Sequence, residues 1–463
     1  MTEVMRSVYK RGRRFKKVEN EDIISNLPSS LISHILSFLP IKDAVATGVL
    51  STRWKYLWTA VTNMDFDDGL LVEPINPRKR TKRKLRSVEM SFINFVNRVF
   101  ICHTSFLHTF RLRCTQNYGV SILNFLVSTA LARNLRELHL FFQIEDYSGL
   151  AHEVFTCTSL EVLELVGRFV LNVPTLVCLQ NVKILLIEEL EFLDDVSINR
   201  LFSGCPLLEE LSIKTCYFKN ISMFHISAPA LKSLVISCWS KVGYKLVLDT
   251  PNLQDLQYHD HVTKGYSMNK LNALVNADIG FVLRGHPDHD GSAEEHVEEL
   301  FEGISKVQWL RLSDDSMKLC RSLLPKFDHL TCLEISCKNV RWKSLLDFLE
   351  SSPQLEQLKL VFGGALLQDR FEENQTTCSW YQPKNVPSCL LCHLKEIKIM
   401  RFEGKSDELK MAEYFLKNSK VLEKLMIRPC INKRSSKINR RTSEINMVRM
   451  LPRGSEKCRV VTF

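Results

Sequence analysis

One spacing of apolar residues dominates the chain. A six-residue unit carries large apolar side chains at its first, fourth and sixth positions, mostly Leu, with Ile, Val or Phe in its place. It recurs as Leu107-Phe110-Leu112, Leu135-Leu138-Leu140, Leu160-Leu163-Leu165, Val182-Leu185-Ile187, Leu208-Leu211-Ile213, Leu231-Leu234-Ile236 and Leu253-Leu256-Tyr258. After an interval it resumes at Val307-Leu310-Leu312, Leu330-Leu333-Ile335, Leu355-Leu358-Leu360, Leu394-Ile397-Ile399 and Leu422-Leu425-Ile427. In the first group, successive units start 28, 25, 22, 26, 23 and 22 residues apart. Side chains alternate along a strand, so the fourth and sixth positions share one face and the residue between them points away. The first position enters the same core from the preceding turn. Several units follow a proline, at Pro206, Pro229, Pro251 and Pro353, which ends the preceding segment and forces extended backbone.

A single unit cannot bury such a face, whereas stacked units share a continuous core. A period of this length is that of leucine-rich repeats. The expected fold class is therefore α/β, a solenoid with a curved parallel sheet and helices or irregular turns outside it. Ser292 and Glu295 read as a capping box ahead of Val297, Leu300, Phe301 and Ile304 at helical spacing. Trp342, Leu345, Leu346 and Leu349 repeat that helical pattern.

Residues 22–58 break the period. Ser29 or Ser30 can cap a short helix with Leu31, Ile35, Leu36 and Leu39 as its stripe, stopped by Pro40. Lys42 to Val49 predicts a second helix, and Ser51 caps a third carrying Trp54, Leu57 and Trp58. Three helices this short cannot shield so many large apolar groups, which predicts a docking face.

Composition adds little until charge is placed along the chain. At 463 residues, 45% hydrophobic and 25% charged, the chain is ordinary in composition and long enough for a large core. The net charge of +10 is uneven: residues 1–20 carry +5, 73–86 carry +6 and 431–463 carry +7, leaving the rest at −8. The expected body is acidic, and the basic charge sits in flexible-looking ends and a linker. No apolar core of signal-peptide length follows the basic start, and nowhere do 18 apolar residues run uninterrupted, so neither a secreted nor a membrane-spanning product is expected. Fifteen cysteines without a repeating spacing read as reduced thiols.

Leu27-Pro28, the run from Ile35 to Pro40, Asp43-Ala44-Val45 and the run from Leu50 to Trp58 resemble the F-box of plant F-box/leucine-rich-repeat proteins over about 37 residues. Gly48 and Thr52 depart from that pattern, where Ser and a basic residue are common. Toward the C-terminus, Val386 to Leu390, Leu394 to Ile397, Phe402-Glu403-Gly404, the helix Glu408 to Asn418, Pro452 to Ser455 and Cys458 to Val461 are similar to the FBD region of the same family. With the basic disordered tail (1–20) and basic linker (67–90) read from charge, the resemblance implies an F-box (21–66), repeats (91–380) and an FBD region continuing the solenoid (381–463). It implies that Leu27, Pro28, Ile35, Leu36, Leu39, Pro40, Leu50, Arg53, Trp54, Leu57 and Trp58 make or support contact with a Skp-type adaptor, and through it with cullin and RING subunits. The expected role is a substrate-recognition subunit of a Skp–cullin–F-box ubiquitin ligase, in the nucleus and/or cytoplasm, with no catalysis and no cofactor of its own. The alternative is a repeat scaffold not coupled to ubiquitin transfer.

Residues flanking the inward leucines project from the open side of the sheet, which makes Glu137, His139, Phe141, Lys214, Gln257, His259, Trp309, Arg311, Glu334, Gln357 and Lys359 candidates for target contact. Trp309 beside Arg311 is the expected hot spot, since those residue types dominate binding energetics. Other constellations are weaker. Cys389, Cys392 and His393 have zinc-like spacing but no second pair. His286, His289, Asp290 and His296 lie in a stretch that reads as a polar turn. The run Arg78 to Lys84 fits an import signal, an anionic-surface contact or a solvated linker equally. The sequence contains no phosphate loop, nucleophile elbow or metalloprotease helix, and nucleic-acid binding through the basic segments stays the third class considered.

Overall fold

The computed structural model describes residues 24, 26–70, 82–143, 148–238, 243–268, 271–283, 292–319, 324–337, 342–363, 385–430 and 445–463. The basic tail, the His286–Asp290 stretch and Arg78–Thr81 lie outside these residues.

The dominant element is one 15-stranded sheet whose strand order follows the chain and whose neighbouring pairs are all parallel. Its strands are β1 (Asn63–Asp67), β2 (Thr109–Cys114), β3 (Glu137–Phe142), β4 (Val162–Gly167), β5 (Ile184–Glu188), β6 (Glu210–Lys214), β7 (Ser233–Ser237) and β8 (Asp255–Asp260). They continue as β9 (Asn276–Phe281), β10 (Trp309–Leu312), β11 (Cys332–Cys337), β12 (Gln357–Phe362), β13 (Glu396–Phe402), β14 (Lys424–Pro429) and β15 (Arg459–Thr462). All three apolar positions of every repeated unit are buried to 2% exposure or less. In register, Phe110, Leu138, Leu163 and Leu185 are consecutive partners, so the leucines form continuous rows under the sheet. Replacing one by Ala would cost about 2–5 kcal/mol from lost transfer energy and the cavity left behind.

Three strands, β1, β9 and β15, have no counterpart among the expected units. Val61, Met64 and Phe66 bring β1 into the sheet, and Leu274, Ala277 and Ile279 bring in β9; all six side chains are buried. The sheet therefore begins at residue 63, ahead of the segment expected as a linker. The last part of that segment is helical as well, since α3 begins at Lys82.

The helices are α1 (Ser29–Leu36), α2 (Ile41–Ala46), α3 (Lys82–Cys102), α4 (Val120–Leu131), α5 (Asp195–Ser203), α6 (Ser292–Gly303), α7 (Asp314–Leu319), α8 (Trp342–Ser351), α9 (Ser388–Cys392) and α10 (Ser406–Asn418). They cover the core-facing side of the sheet at both ends of the array. Between them, apart from α5, the outer layer is extended rather than helical. A four-stranded parallel ribbon joins Ser148–Gly149, Phe169–Leu171, Glu191–Asp194 and Tyr217–Asn220, and a three-stranded one joins Met223–Ser227, Lys245–Asp249 and Tyr266–Ser267. Most units in this stretch are short, leaving too few residues for a helix of several turns. Phe192, Phe218, Phe224 and Tyr244 fill the space beneath, with ring centroids 5.1–6.1 Å apart. Strands stack about 4.8 Å apart whereas helices need about 10 Å, so the sheet takes the inner, concave side.

Among the described residues no helix is long and apolar enough to cross a membrane.

Candidate docking surfaces

The N-terminal helices were expected to use Leu31, Ile35, Leu36 and Leu39 as one stripe, and they do not. α1 buries Ile32 and Leu36, which pack with Ile41, Ala44, Trp54 and Trp58 into a closed core. Ser29 and Ser30 do not cap α1. Pro28, in extended backbone with φ −53° and ψ 143°, occupies the cap position, with no side-chain hydrogen bond. α2 ends at Ala46 in a 3-10 turn (Thr47–Val49), and the third expected helix is a 3-10 helix (Trp54–Ala60) preceded by Arg53 rather than capped by Ser51. The Ser33 hydroxyl donates to the Leu57 carbonyl, Trp58 Nε1 to the Lys55 carbonyl, and Arg53 to the Leu27 carbonyl. With its polar atoms tied internally, the unit closes without Leu31, Ile35 and Leu39.

The residues predicted for adaptor contact therefore divide. Leu36, Trp54 and Trp58 are interior, with exposures of 1, 7 and 8%. Leu27, Pro40 and Leu57 are half-buried, while Pro28, Ile35, Leu39, Leu50 and Arg53 are exposed. Leu31, expected in the stripe, is exposed as well, and sequence reasoning missed part of the outer face: Phe38 on the α1 side, Val49 after α2 and Tyr56 on the 3-10 helix, with Phe38 and Val49 74 and 87% exposed. The available signal was that α1 is apolar on both sides. Gly48 lies in the 3-10 turn, and a Cβ there would sit 3.4 Å from the Lys55 carbonyl oxygen.

The unit is fastened to the sheet. His103, after α3, donates from Nε2 to the Val61 carbonyl at 2.7 Å, which leaves Nδ1 to accept from Arg133 at 2.7 Å. Burial holds this imidazole below its ordinary value; the bond to Val61 opposes that and the Arg133 charge reinforces it. Arg133 also donates to the Phe100 carbonyl and lies over the Phe100 ring. Asp68, fully buried just past β1, accepts from the Thr115 and Gln116 amides, the Thr115 hydroxyl and the Tyr118 hydroxyl at 2.8–3.1 Å.

On the open face, the register sorts the target candidates into three rows. Glu137, Trp309 and Gln357 share one row, and His139, Gln257, Arg311, Glu334 and Lys359 the next. Phe141, Lys214 and His259 lie in the third. Many are already paired with one another. His259 Nε2 lies 3.0 Å from Asp278, Asp278 3.6 Å from Arg311, Arg311 3.5 Å from Glu334, and Glu334 2.9 Å from Lys359. This alternating ladder crosses β8 to β12 and passes through Asp278, on a strand the repeat pattern did not reveal. A Cβ at position 280 would come within 2.7 Å of the His259 ring, so Gly280 supplies the space in which that imidazole lies. At the other end His139 is held between carboxylates, with Glu164 at 2.6 Å and Glu137 at 3.7 Å. Trp309 is half-buried, and the Arg311 guanidinium beside it is engaged by two carboxylates.

The remaining chemistry is structural. Burial pushes the Cys205 and Cys389 thiols up to about 12 and those of Cys114 and Cys238 well above the usual thiol range, so they stay protonated. Cys389 is buried with Sγ 3.4 Å from the Leu349 carbonyl, while Cys392 is exposed. Among the described residues no group of three or more His, Cys, Asp or Glu side chains is placed to hold a metal ion. Near the C-terminus, the buried Glu408 carboxylate accepts from the Glu403 and Gly404 amides at 2.8 Å, and burial raises its proton affinity. In the closing segment, Arg453 donates to the Cys458 carbonyl and the Ser455 hydroxyl to that of Leu422. The basic charge of residues 445–463 is thus built into the fold rather than carried on a loose end.

Three family models match the chain: F-box domain over residues 24–64, "FBD-associated F-box protein At5g56370, LRR repeats" over 123–276, and FBD over 382–427. Among similar proteins from Arabidopsis thaliana, the F-box/FBD/LRR-repeat protein At3g52680 is 30% identical, covering 97% of this chain and 94% of its own length. The F-box/FBD/LRR-repeat protein At4g00160 is 31% identical over 97% of this chain and 96% of its own. The F-box/LRR-repeat protein At3g59200 is 32% identical over 88% and 82%.

Proposed function

The chain belongs to the family of F-box/FBD/LRR-repeat proteins, and on that premise we propose that it is the substrate-recognition subunit of a Skp–cullin–F-box ubiquitin ligase. The F-box holds a Skp-type adaptor, the adaptor joins cullin and RING subunits, and the sheet holds the target. The carrying observation is an F-box that closes its own core and still presents Phe38, Val49, Leu50 and Tyr56 to solvent. Large apolar side chains gathered on one small unit are what a hydrophobic interface buries. Catalysis on this reading is proximity: tethering raises the effective concentration of target lysines near a loaded conjugating enzyme, and this chain contributes no reacting group. The working compartment is the nucleus and/or cytoplasm, where the shared machinery operates.

The test is co-purification with a Skp-type adaptor. The wild-type chain retains the adaptor, whereas Val49→Asp with Leu50→Asp loses it at unchanged thermal stability. An intact, folded chain that retains no adaptor would instead identify a repeat scaffold uncoupled from ubiquitin transfer.

A further inference from the structure

The open face changes character along its length. Over β1–β5 its charged positions are mainly acidic: Asp65, Asp67, Glu137, Glu164 and Glu188 against Arg111 and Arg113. Over β8–β12 the carboxylates of Asp278 and Glu334 are paired with Arg311 and Lys359. Over β12–β15 the same face carries Lys359, Lys398, Lys424, Arg428 and Arg459 against Glu396 alone. Lys359 is neutralised by Glu334 and Lys398 by Glu396 at 3.2 Å. Lys424, Arg428 and Arg459 are exposed, and no carboxylate pairs with them among the described residues. Lys424 and Arg459 are direct partners on adjacent strands, about 4.8 Å apart, so both can reach one carboxylate. Apolar groups lie between the cations: Met426 partners Val461, and the Arg428 guanidinium sits 4.5 Å above the Phe463 ring. Val461 and Phe463 are 38 and 44% exposed.

We propose that this end of the sheet, centred on Lys424, Met426, Arg428, Arg459, Val461 and Phe463, is the docking surface for an acidic target segment in which apolar side chains alternate with aspartate or glutamate. The inference rests on the target-binding reading above and names the chemistry of what is bound. Unpaired cations at the edge of the ladder supply complementarity to carboxylates, and the interleaved Met426, Val461 and Phe463 supply the apolar contacts that a purely electrostatic surface lacks. Met426 and Val461, the side chains between the cations, offer no aromatic face for base stacking, which favours a peptide with apolar side chains over nucleic acid.

The experiment measures fluorescence anisotropy with the full-length chain and three labelled probes: a short peptide alternating Glu and Leu, the same peptide with Lys for Glu, and a single-stranded oligonucleotide of equal charge. The acidic peptide is expected to bind, to weaken by about tenfold or more in Lys424→Glu with Arg459→Glu, and to keep its affinity in Lys424→Arg with Arg459→Lys. The basic peptide is expected not to bind. Equal or tighter binding of the oligonucleotide, an affinity unchanged by charge reversal, or no binding of the acidic peptide would each overturn the proposal. Adaptor co-purification, measured on the same variants, is expected to be unaffected. Loss of adaptor binding with peptide binding intact would therefore implicate the ligase assignment and leave this surface standing.

Discussion

Asp68→Ala removes the acceptor that ties the turn after β1 to the loop after β2, 47–50 residues along the chain. Four donors lose their partner: two amides and two hydroxyls. A stranded buried donor costs about 1–3 kcal/mol, and hydroxyls can turn to other acceptors where amides cannot. The two amides alone therefore set a floor of about 2 kcal/mol, and the expected loss is about 3–5 kcal/mol. Asp68→Asn is the sharper comparison. An amide oxygen at the Oδ2 position keeps the bonds from Thr115 N, Gln116 N and the Tyr118 hydroxyl, so the expected loss is only about 1–2 kcal/mol. Repeat arrays open locally, so the assay is native-state hydrogen exchange resolved by segment rather than one melting temperature. Faster exchange confined to β1, β2 and the loops they lead into is expected, with Ala well above Asn. Equal effects of the two substitutions, or exchange in these segments within about 0.5 kcal/mol of wild type, would show that the carboxylate is not what joins the F-box to the array.

Trp54→Ala removes a buried side chain from the F-box core and is expected to destabilise that unit by about 3–5 kcal/mol, seen as loss of its exchange protection. Leu50→Asp, on the outside, is expected to leave protection intact, so adaptor loss in the Trp54 variant alone would carry no information about the interface. His103 is neutral in the folded state with its proton affinity depressed, so its contribution is present above pH 6.5 and is lost as pH falls through the lowered value. Urea unfolding followed at the F-box end is expected to weaken on acidification, and His103→Gln to flatten that dependence; an unchanged slope refutes it. Gly454→Ala places a Cβ 2.4 Å from the Lys417 carbonyl oxygen, and a loss of about 1–3 kcal/mol is expected, with faster exchange in β15. A stability equal to wild type would mean the backbone moves aside without strain.

The strands legible in the sequence were those built from leucine and its close equivalents. β1 and β9 escaped because Met64 and Ala277 stand where Leu is usual, although the register later places them in the same rows. The outer parallel ribbons were not foreseen, since their pattern is short and follows from how little chain the compact units leave. Trp54 and Trp58 read as surface because nothing in a linear pattern tells an interior tryptophan from a docking one. The ion-pair ladder was illegible for a further reason: Asp278 and Arg311 are 33 residues apart in sequence, and only strand register brings them within reach. Candidate residues chosen by alternation landed on the intended face, yet alternation carries no information about which of them spend their charge on a neighbour.

The sheet starts inside the segment that closes the F-box, so among the described residues the F-box end and the far repeats share one continuous sheet. From β1 to β14 there are about thirteen strand spacings of ~4.8 Å, or ~60 Å of arc along the sheet. On the proposed function, the solenoid acts as a gauge. Excising one unit would shorten the arc by about 5 Å and rotate the docking end by one increment of the superhelix, which would change which lysines of a bound target come within range of the conjugating enzyme, with every contact to that target left intact.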